Sequence, residues 1–393
     1  MDVTPATHIP RARRDDYTER MAAERRMFAS SQSGTSLRNV GSYSLDPATL
    51  AGNVENFIGV AQVPIGLAGP LLVRGEHADG EFLVPLATTE GTLVASYNRG
   101  MRLIRECGGV VATVVEEQMQ RAPVFTFADA HQARDFGVWV EANFDGIKAA
   151  ADATTSVGRL QGISQHSVGP LRFLRFNFTC GDAAGQNLTG KATLAACEWI
   201  SAHYPSASDF LLSGNIDTDK KHSQINTLLT RGKRVIAEVV LKRERVLELM
   251  GVEPAAMFQG RQISNAGAFM AGASSNGAHA ANALAALFIA TGQDAANVAE
   301  SHASITYTQL LDNGDYYWSI TLPSLIVATY GGGTGLATQR ECLELLGCYG
   351  AGKVAKLAEI CAAVVLAGEI SLSSAVLHGD WVASHETFGR NRP

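Results

Sequence analysis

The stretch Leu171-Arg172-Phe173-Leu174-Arg175-Phe176-Asn177-Phe178-Thr179 alternates apolar Leu174, Phe176 and Phe178 with polar Arg175, Asn177 and Thr179. A period of two sends the two sets to opposite faces, the pattern of a half-buried antiparallel strand. Upstream, Val124-Phe125-Thr126-Phe127 is a short strand, Asp129 is placed to cap a helix over residues 130–151, and a strand follows near residues 159–166. Downstream, a helix runs over residues 186–203 and a strand begins at Phe210. The order β-α-β-β-α-β is the ferredoxin-like signature. The expected fold class is therefore α+β: a large mixed helical and β domain with an inserted ferredoxin-like βαββαβ small domain. The expected boundaries are an N-terminal helical segment (1–40), the large domain (41–121 and 213–380), the insertion (122–212) and a C-terminal tail (381–393).

Composition narrows the function classes. The chain has 393 residues, 46% of them apolar, enough for a substantial core. A net charge of -6 with scattered cations argues against a nucleic-acid partner. Arg11, Arg13, Arg14, Arg20, Arg25 and Arg26 do cluster, but they interleave with Asp15, Asp16, Glu19 and Glu24, which favours a solvated helix. Residues 1–30 lack the apolar stretch of a signal peptide, and the apolar runs at 280–290 and 361–367 are shorter than the roughly 20 residues that cross a bilayer. A soluble cytoplasmic protein without a membrane partner is expected. Its six cysteines form no C-x-x-C pair, so reduced core thiols are expected, with no zinc or other metal site.

In the large domain, a strand over residues 82–86 ends in Ala87-Thr88-Thr89-Glu90-Gly91. The helix after it carries Leu93, Tyr97, Met101 and Ile104 on one side and Arg99 and Arg102 on the other. Glu90 thus stands at a strand-to-helix junction, either as a functional acid or as a carboxylate that favours the helix dipole. Residues 235–250 read as a helix of mixed charge. Asn276-Gly277-Ala278-His279 opens an Ala-rich helix that Gly292 stops, and Asp294 begins its exit loop. An acid there opposes the helix dipole, which motivates a functional reading. Asn313-Gly314 marks a hairpin between strands at 305–311 and 316–322, and residues 356–377 form a long buried helix.

Chemistry concentrates in Phe210-Leu211-Leu212-Ser213-Gly214-Asn215-Ile216-Asp217-Thr218-Asp219-Lys220-Lys221, where an apolar strand runs into a loop of two acids and two lysines. A lysine held among carboxylates can stabilise a carbonyl oxygen as it becomes an oxyanion; the plainer alternative is a solvated loop. Gly181-Asp182-Ala183-Ala184-Gly185-Gln186-Asn187 is either a tight turn or a backbone cradle that offers helix N–H groups to a pyrophosphate.

Six motifs in order, Glu55-Asn56-Phe57-Ile58-Gly59, Ala87-Thr88-Thr89-Glu90-Gly91, Thr218-Asp219-Lys220-Lys221, Gly292-Gln293-Asp294-Ala295-Ala296-Asn297, Gly331-Gly332-Gly333-Thr334 and Ser384-His385, resemble the 3-hydroxy-3-methylglutaryl-CoA (HMG-CoA) reductase family. The resemblance implies a four-electron reduction of HMG-CoA to mevalonate and CoA with NADPH or NADH. It implies that Glu90, Lys220, Asp294 and His385 are catalytic. Arg121, Ser213, Asp219, Lys221 and Asn282 match positions that hold the hydroxymethylglutaryl group, and Tyr43, Arg99 and Arg102 match positions that contact CoA. Asp182, Ala183, Ala184, Gly185, Gln186 and Asn187, with Thr155, Ser156, Gly331 and Gly332, fall where the family binds its dinucleotide. The family's acyl site forms where two subunits meet, and the Glu55 segment resembles its dimer motif, so a homodimer or a dimer of dimers is implied. Two positions depart from the pattern: Ser156 replaces an arginine used for the NADPH 2′-phosphate, and Ile263-Ser264-Asn265 replaces a stretch carrying a lysine. The same chemistry on another acyl thioester, and a non-catalytic CoA or nucleotide binder, are the alternatives.

Overall fold

A computed structural model describes residues 8–207 and 209–379. The chain opens with α1 (Glu19–Ser33), capped by the Thr18 side chain and closed by Gly34 in the left-handed conformation. A β-hairpin follows, β1 (Ile65–Gly75) and β2 (Asp79–Ala87), its turn held by Glu359 Oε2, which accepts the N–H groups of His77 and Ala78. Next come α2 (Leu93–Glu106), β3 (Val110–Arg121), β4 (Val124–Thr126), α3 (Ala130–Ala142), α4 (Phe144–Asp152), β5 (Arg159–Val168), β6 (Leu171–Thr179), α5 (Gln186–His203) and β7 (Phe210–Leu211). The remainder is α6 (Gln224–Leu229), β8 (Gly232–Leu241), α7 (Arg243–Met250), α8 (Pro254–Met270), α9 (Ala280–Thr291), α10 (Val298–Ser301), β9 (Ile305–Leu310), β10 (Tyr316–Leu325), α11 (Ala337–Leu345) and α12 (Val354–His378).

One mixed sheet runs β7-β4-β6-β3-β8-β10-β9, with β1 joined to β2 and β3, and β5 joined to β6. β3 is the bridge. Its start, Val110 to Ala112, pairs with β1, Val111 to Gln118 pair with β8, and its last residues Met119, Gln120 and Arg121 pair with Phe178, Asn177 and Phe176 of β6. Two main apolar clusters lie along this sheet. One surrounds α12 and gathers α2, α9, β1, β2, β8 and β10; the other, aromatic-rich, joins β4–β6 to α3–α5. Leu93, Tyr97, Met101 and Ile104 of α2 are all buried, as their spacing requires.

Several expectations change. Residues 235–250 are strand β8 followed by α7, because Val235, Ala237, Val239 and Leu241 point into the large core with a period of two. β3 has no counterpart in the sequence reading, since its apolar start and polar end obey neither period. Helix α1 is not simply solvated. Arg25 is 1% exposed, pairs with Asp16 and donates to the carbonyls of Pro10, Asp16 and Phe57. β6 is buried on both faces: Arg175 and Asn177 are sealed like Leu174 and Phe176 because the 226–231 segment covers their side. α12 is by length and composition apolar enough to cross a membrane, unlike the short run expected, but it is mostly buried in the large core.

Candidate active site

The loop after β7 is fixed at its start by Gly214 N–H donating to Ala122 O, which brings residues 213–223 beside the end of β3. There Arg121 Nη1 meets the buried Asp217 at 3.1 Å. Asn215, Thr218 and Lys220 all adopt the left-handed conformation, which asparagine takes readily but the β-branched Thr218 and the long Lys220 do not favour. Lys220 Nζ reaches Asp294 Oδ2 at 2.8 Å, with both side chains partly open to solvent. The hydrogen bond that the Lys220 ammonium donates to the Asp294 carboxylate raises the Lys220 pKa, which keeps the ammonium charged.

Asp294 leaves the end of α9, where Gly292 in the left-handed conformation approaches Gly333 so closely that a Cβ on Gly292 would stand 2.2 Å from the Gly333 carbonyl oxygen. This contact sets the Gly331–Gly332 loop against the α9 exit and explains why both turns need glycine. Asp294 Oδ1 caps the following 3-10 turn through Ala296 N–H, which leaves Oδ2 for Lys220. The acid that is wrong for the end of α9 is right for the start of the next turn.

Glu90 is exposed three residues beyond Ala87, and its N–H donates to Thr88 Oγ1. Ala87 packs with Ala290 and Cys342, so the exits of β2 and α9 leave one apolar cluster and bring Glu90 and Asp294 to the same end of the sheet. Asn282 Nδ2 lies 2.9 Å from His279 Nδ1, and His279 stacks on Tyr97 at 4.8 Å. Burial lowers the His279 pKa to about 4, so the ring is neutral. Beneath the loop, Arg231 Nη2 holds Asp219 at 2.8 Å, and Gln186 Nε2 donates to both Asp219 and Asn297. Lys221 is exposed and donates to Asp219 O, and Ser213 is exposed.

The other expected binding residues are placed as follows. Tyr43 donates to Glu19, accepts from Arg26 and packs edge-on to Phe57. Arg99 donates to the hydroxyl and carbonyl of Ser371 on α12, whereas Arg102 pairs with Glu106 on the surface. In the 181–187 loop the Asp182 carboxylate accepts the N–H groups of Gly352, Lys353 and Val354, anchoring the loop to the start of α12. Gly185, left-handed, begins α5, and no side chain caps that helix. Ala183, Ala184 and Gln186 are partly covered and Asn187 is exposed. Thr155 Oγ1 accepts from Val157 and Gly158, and the Arg159 guanidinium lies on the Thr155 and Ser156 carbonyls. His385 lies outside the described residues.

Sequence reasoning missed Arg231 and Glu300. Glu300 Oε1 accepts Arg231 Nη1 at 2.5 Å and Lys220 N–H at 2.9 Å, with both side chains buried. Burial raises the Glu300 pKa to about 7 against the opposing pull of Arg231. The one available signal was an acid six residues after Asp294, which no local period singles out.

Comparison with known proteins identifies the family. Residues 21–390 match the family described as hydroxymethylglutaryl-coenzyme A reductase. The chain is similar to 3-hydroxy-3-methylglutaryl-coenzyme A reductase of Pyrococcus horikoshii, with 42% identity over 95% of this chain and 92% of that protein. It is 44% identical to the Aeropyrum pernix enzyme of the same name, over 94% of this chain and 89% of that one. Its fold resembles that of the class II reductase from Streptococcus pneumoniae bound to NADPH, with a TM-score of 0.68 and 20% identity over 84% of this chain and 79% of that one.

Proposed function

Because the chain belongs to the hydroxymethylglutaryl-coenzyme A reductase family, we propose that the Lys220–Asp294 pair is its catalytic centre. The protein is an NAD(P)H-dependent oxidoreductase that reduces 3-hydroxy-3-methylglutaryl-CoA to mevalonate and CoA. Converting a thioester to an alcohol takes two hydrides, one from each of two NAD(P)H molecules that the dinucleotide site would bind in turn, with a hemithioacetal and an aldehyde between them. An oxyanion develops at each reduction, and the Lys220 ammonium, held charged by Asp294, is the group that stabilises it. Glu90 is assigned the proton that the aldehyde oxygen takes up in the second reduction. His385, whose residue type titrates near neutrality, is assigned the proton for the departing thiolate. Asp219, tethered by Arg231 and Gln186, and Asn282 beside His279 are assigned to the acyl group.

The dinucleotide fits the loop at the start of α5. The left-handed Gly185 and the uncapped first turn offer N–H groups to a pyrophosphate, and Asp182 spends its charge on α12 and so does not repel it. NADPH is the cofactor bound by the streptococcal relative. Here the Arg159 guanidinium beside Ser156 is the cation closest in sequence to the departed arginine. The strand order β7-β4-β6-β5, antiparallel throughout, supports reading residues 122–212 as the ferredoxin-like insertion. Exposed Ile263, Phe269 and Met270 on α8 support a partner-covered face and hence the homodimer. Free thiols support a reducing, cytoplasmic setting.

The observation that carries the proposal is the 2.8 Å contact of Lys220 with Asp294. Its test is oxidation of NADH and of NADPH with the thioester, and separately with free mevaldehyde, by the wild type and by Lys220→Ala. The proposal requires both reductions to collapse in the variant; near wild-type turnover would sink it.

A further inference from the structure

The left-handed backbone of Lys220, at φ 56°, is one that a lysine does not choose, so something must hold it. The surroundings supply two holds on one segment. The ammonium rests on Asp294, and the main-chain N–H rests on Glu300 Oε1 at 2.9 Å. The same carboxylate oxygen takes Arg231 Nη1, and the other arm of that guanidinium takes Asp219 Oδ1. Arg231 and Glu300 are each 0% exposed, yet Arg231 Nε and Glu300 Oε2 have no hydrogen-bond partner. A buried pair with unspent donors and acceptors is a poor way to gain stability, because apolar side chains of similar size commonly serve as well. Its value must lie in geometry.

We infer that the Arg231–Glu300 pair is the positioning device of the catalytic lysine: it clamps the Lys220 main chain to the segment that carries Asp294 and joins Asp219 to the same rigid unit. The inference rests on reading Lys220 as the oxyanion-stabilising group. Arg231 reaches this position because Gly232, left-handed at φ 79°, turns the chain into β8 where a Cβ would strike the Leu325 carbonyl. The charged groups around Glu300 are Arg231, Lys220 and Asp219, with Asp294 on its own segment; Arg175 on β6 faces Arg231 from the far side. Lys220 and Asp219, expected to act on the oxyanion and on the acyl group, are thus indexed to each other by one guanidinium and one carboxylate.

The test separates position from stability. The double variant Arg231→Met/Glu300→Leu replaces the pair by apolar groups of similar size and is expected to melt at or above the wild-type temperature. Its kcat should fall at least tenfold for both the thioester and mevaldehyde, with KM for the thioester within about threefold. Glu300→Gln keeps the shape and removes the charge that orients Arg231, and its kcat should fall at least threefold. Turnover within twofold of wild type in either variant, once folded, overturns the inference. Lys220→Ala is assayed in parallel. An active Lys220→Ala discredits the reading of Lys220, whereas an inactive one beside an active double variant discredits the clamp alone.

Discussion

The large core and the seam beneath the lysine loop are equally buried and built on opposite principles. Around α12, residues such as Val364, Val365, Leu366 and Ala367 join Trp318, Ile320 and Leu322 of β10 in a predominantly apolar cluster. Along the seam where β3, β6 and β8 meet the 217–231 segment, buried Gln120, Arg175, Asn177, Asn226, Arg231 and Glu300 bond to one another and to main-chain carbonyls. Apolar packing is non-directional and tolerates small adjustments of shape. Each hydrogen bond in a buried polar network has a preferred distance and angle, so the network fixes orientation even where some of its donors and acceptors stay unpaired. The molecule therefore places its stability in one region and the aim of its catalytic loop in the other.

The sharpest break of that contrast is Trp318→Ala, in the apolar region. Trp318 is fully buried and packs on Tyr316, so truncation should cost about 3–5 kcal/mol. Chemical denaturation reads this; any of the variant that remains folded should keep its kcat, because the site lies elsewhere. His279, between the two regions, should show a pH effect instead. Burial holds its pKa at about 4 against an ordinary 6.5, so the fold favours the neutral ring. The stability that depends on that neutrality is complete above pH 6.5 and is lost as pH falls toward 4, a difference on the order of 3 kcal/mol. Unfolding curves of the wild type and His279→Gln should converge over that range as pH falls; parallel curves would show that burial of the ring is not the cause.

At the open end of the seam the expectation reverses. Lys220→Ala removes a half-exposed side chain, so the melting temperature should hardly move, while kcat should drop on the order of a hundredfold or more. The smallest effect concerns the dinucleotide. Ser156→Arg should shift the NADPH to NADH ratio of kcat/KM by roughly tenfold toward NADPH, through a charge-assisted contact with the 2′-phosphate. An unchanged ratio would show that residue 156 does not face that group, which leaves Arg159 as the residue to vary next.

The sequence by itself determined the elements whose partners are local. Asn313-Gly314 specified its hairpin, Gly292 ended α9 and Asp129 capped α3, because turn and cap preferences are settled within four or five residues. The same holds for Lys220 and Asp294 as members of recognisable motifs. Tertiary structure alone decided that residues 232–241 form a strand, since pairing with β3 and β10 overrides the helical look of their charges. It decided that Arg25 and Arg175 are inside, because among the groups that meet them are the carbonyl of Phe57 and the amide oxygen of Asn226, far along the chain. Arg231 and Glu300 were illegible for the same reason. A charge reads as solvated from its neighbours in sequence, and only the fold brings the opposite charge, 69 residues away, within 2.5 Å.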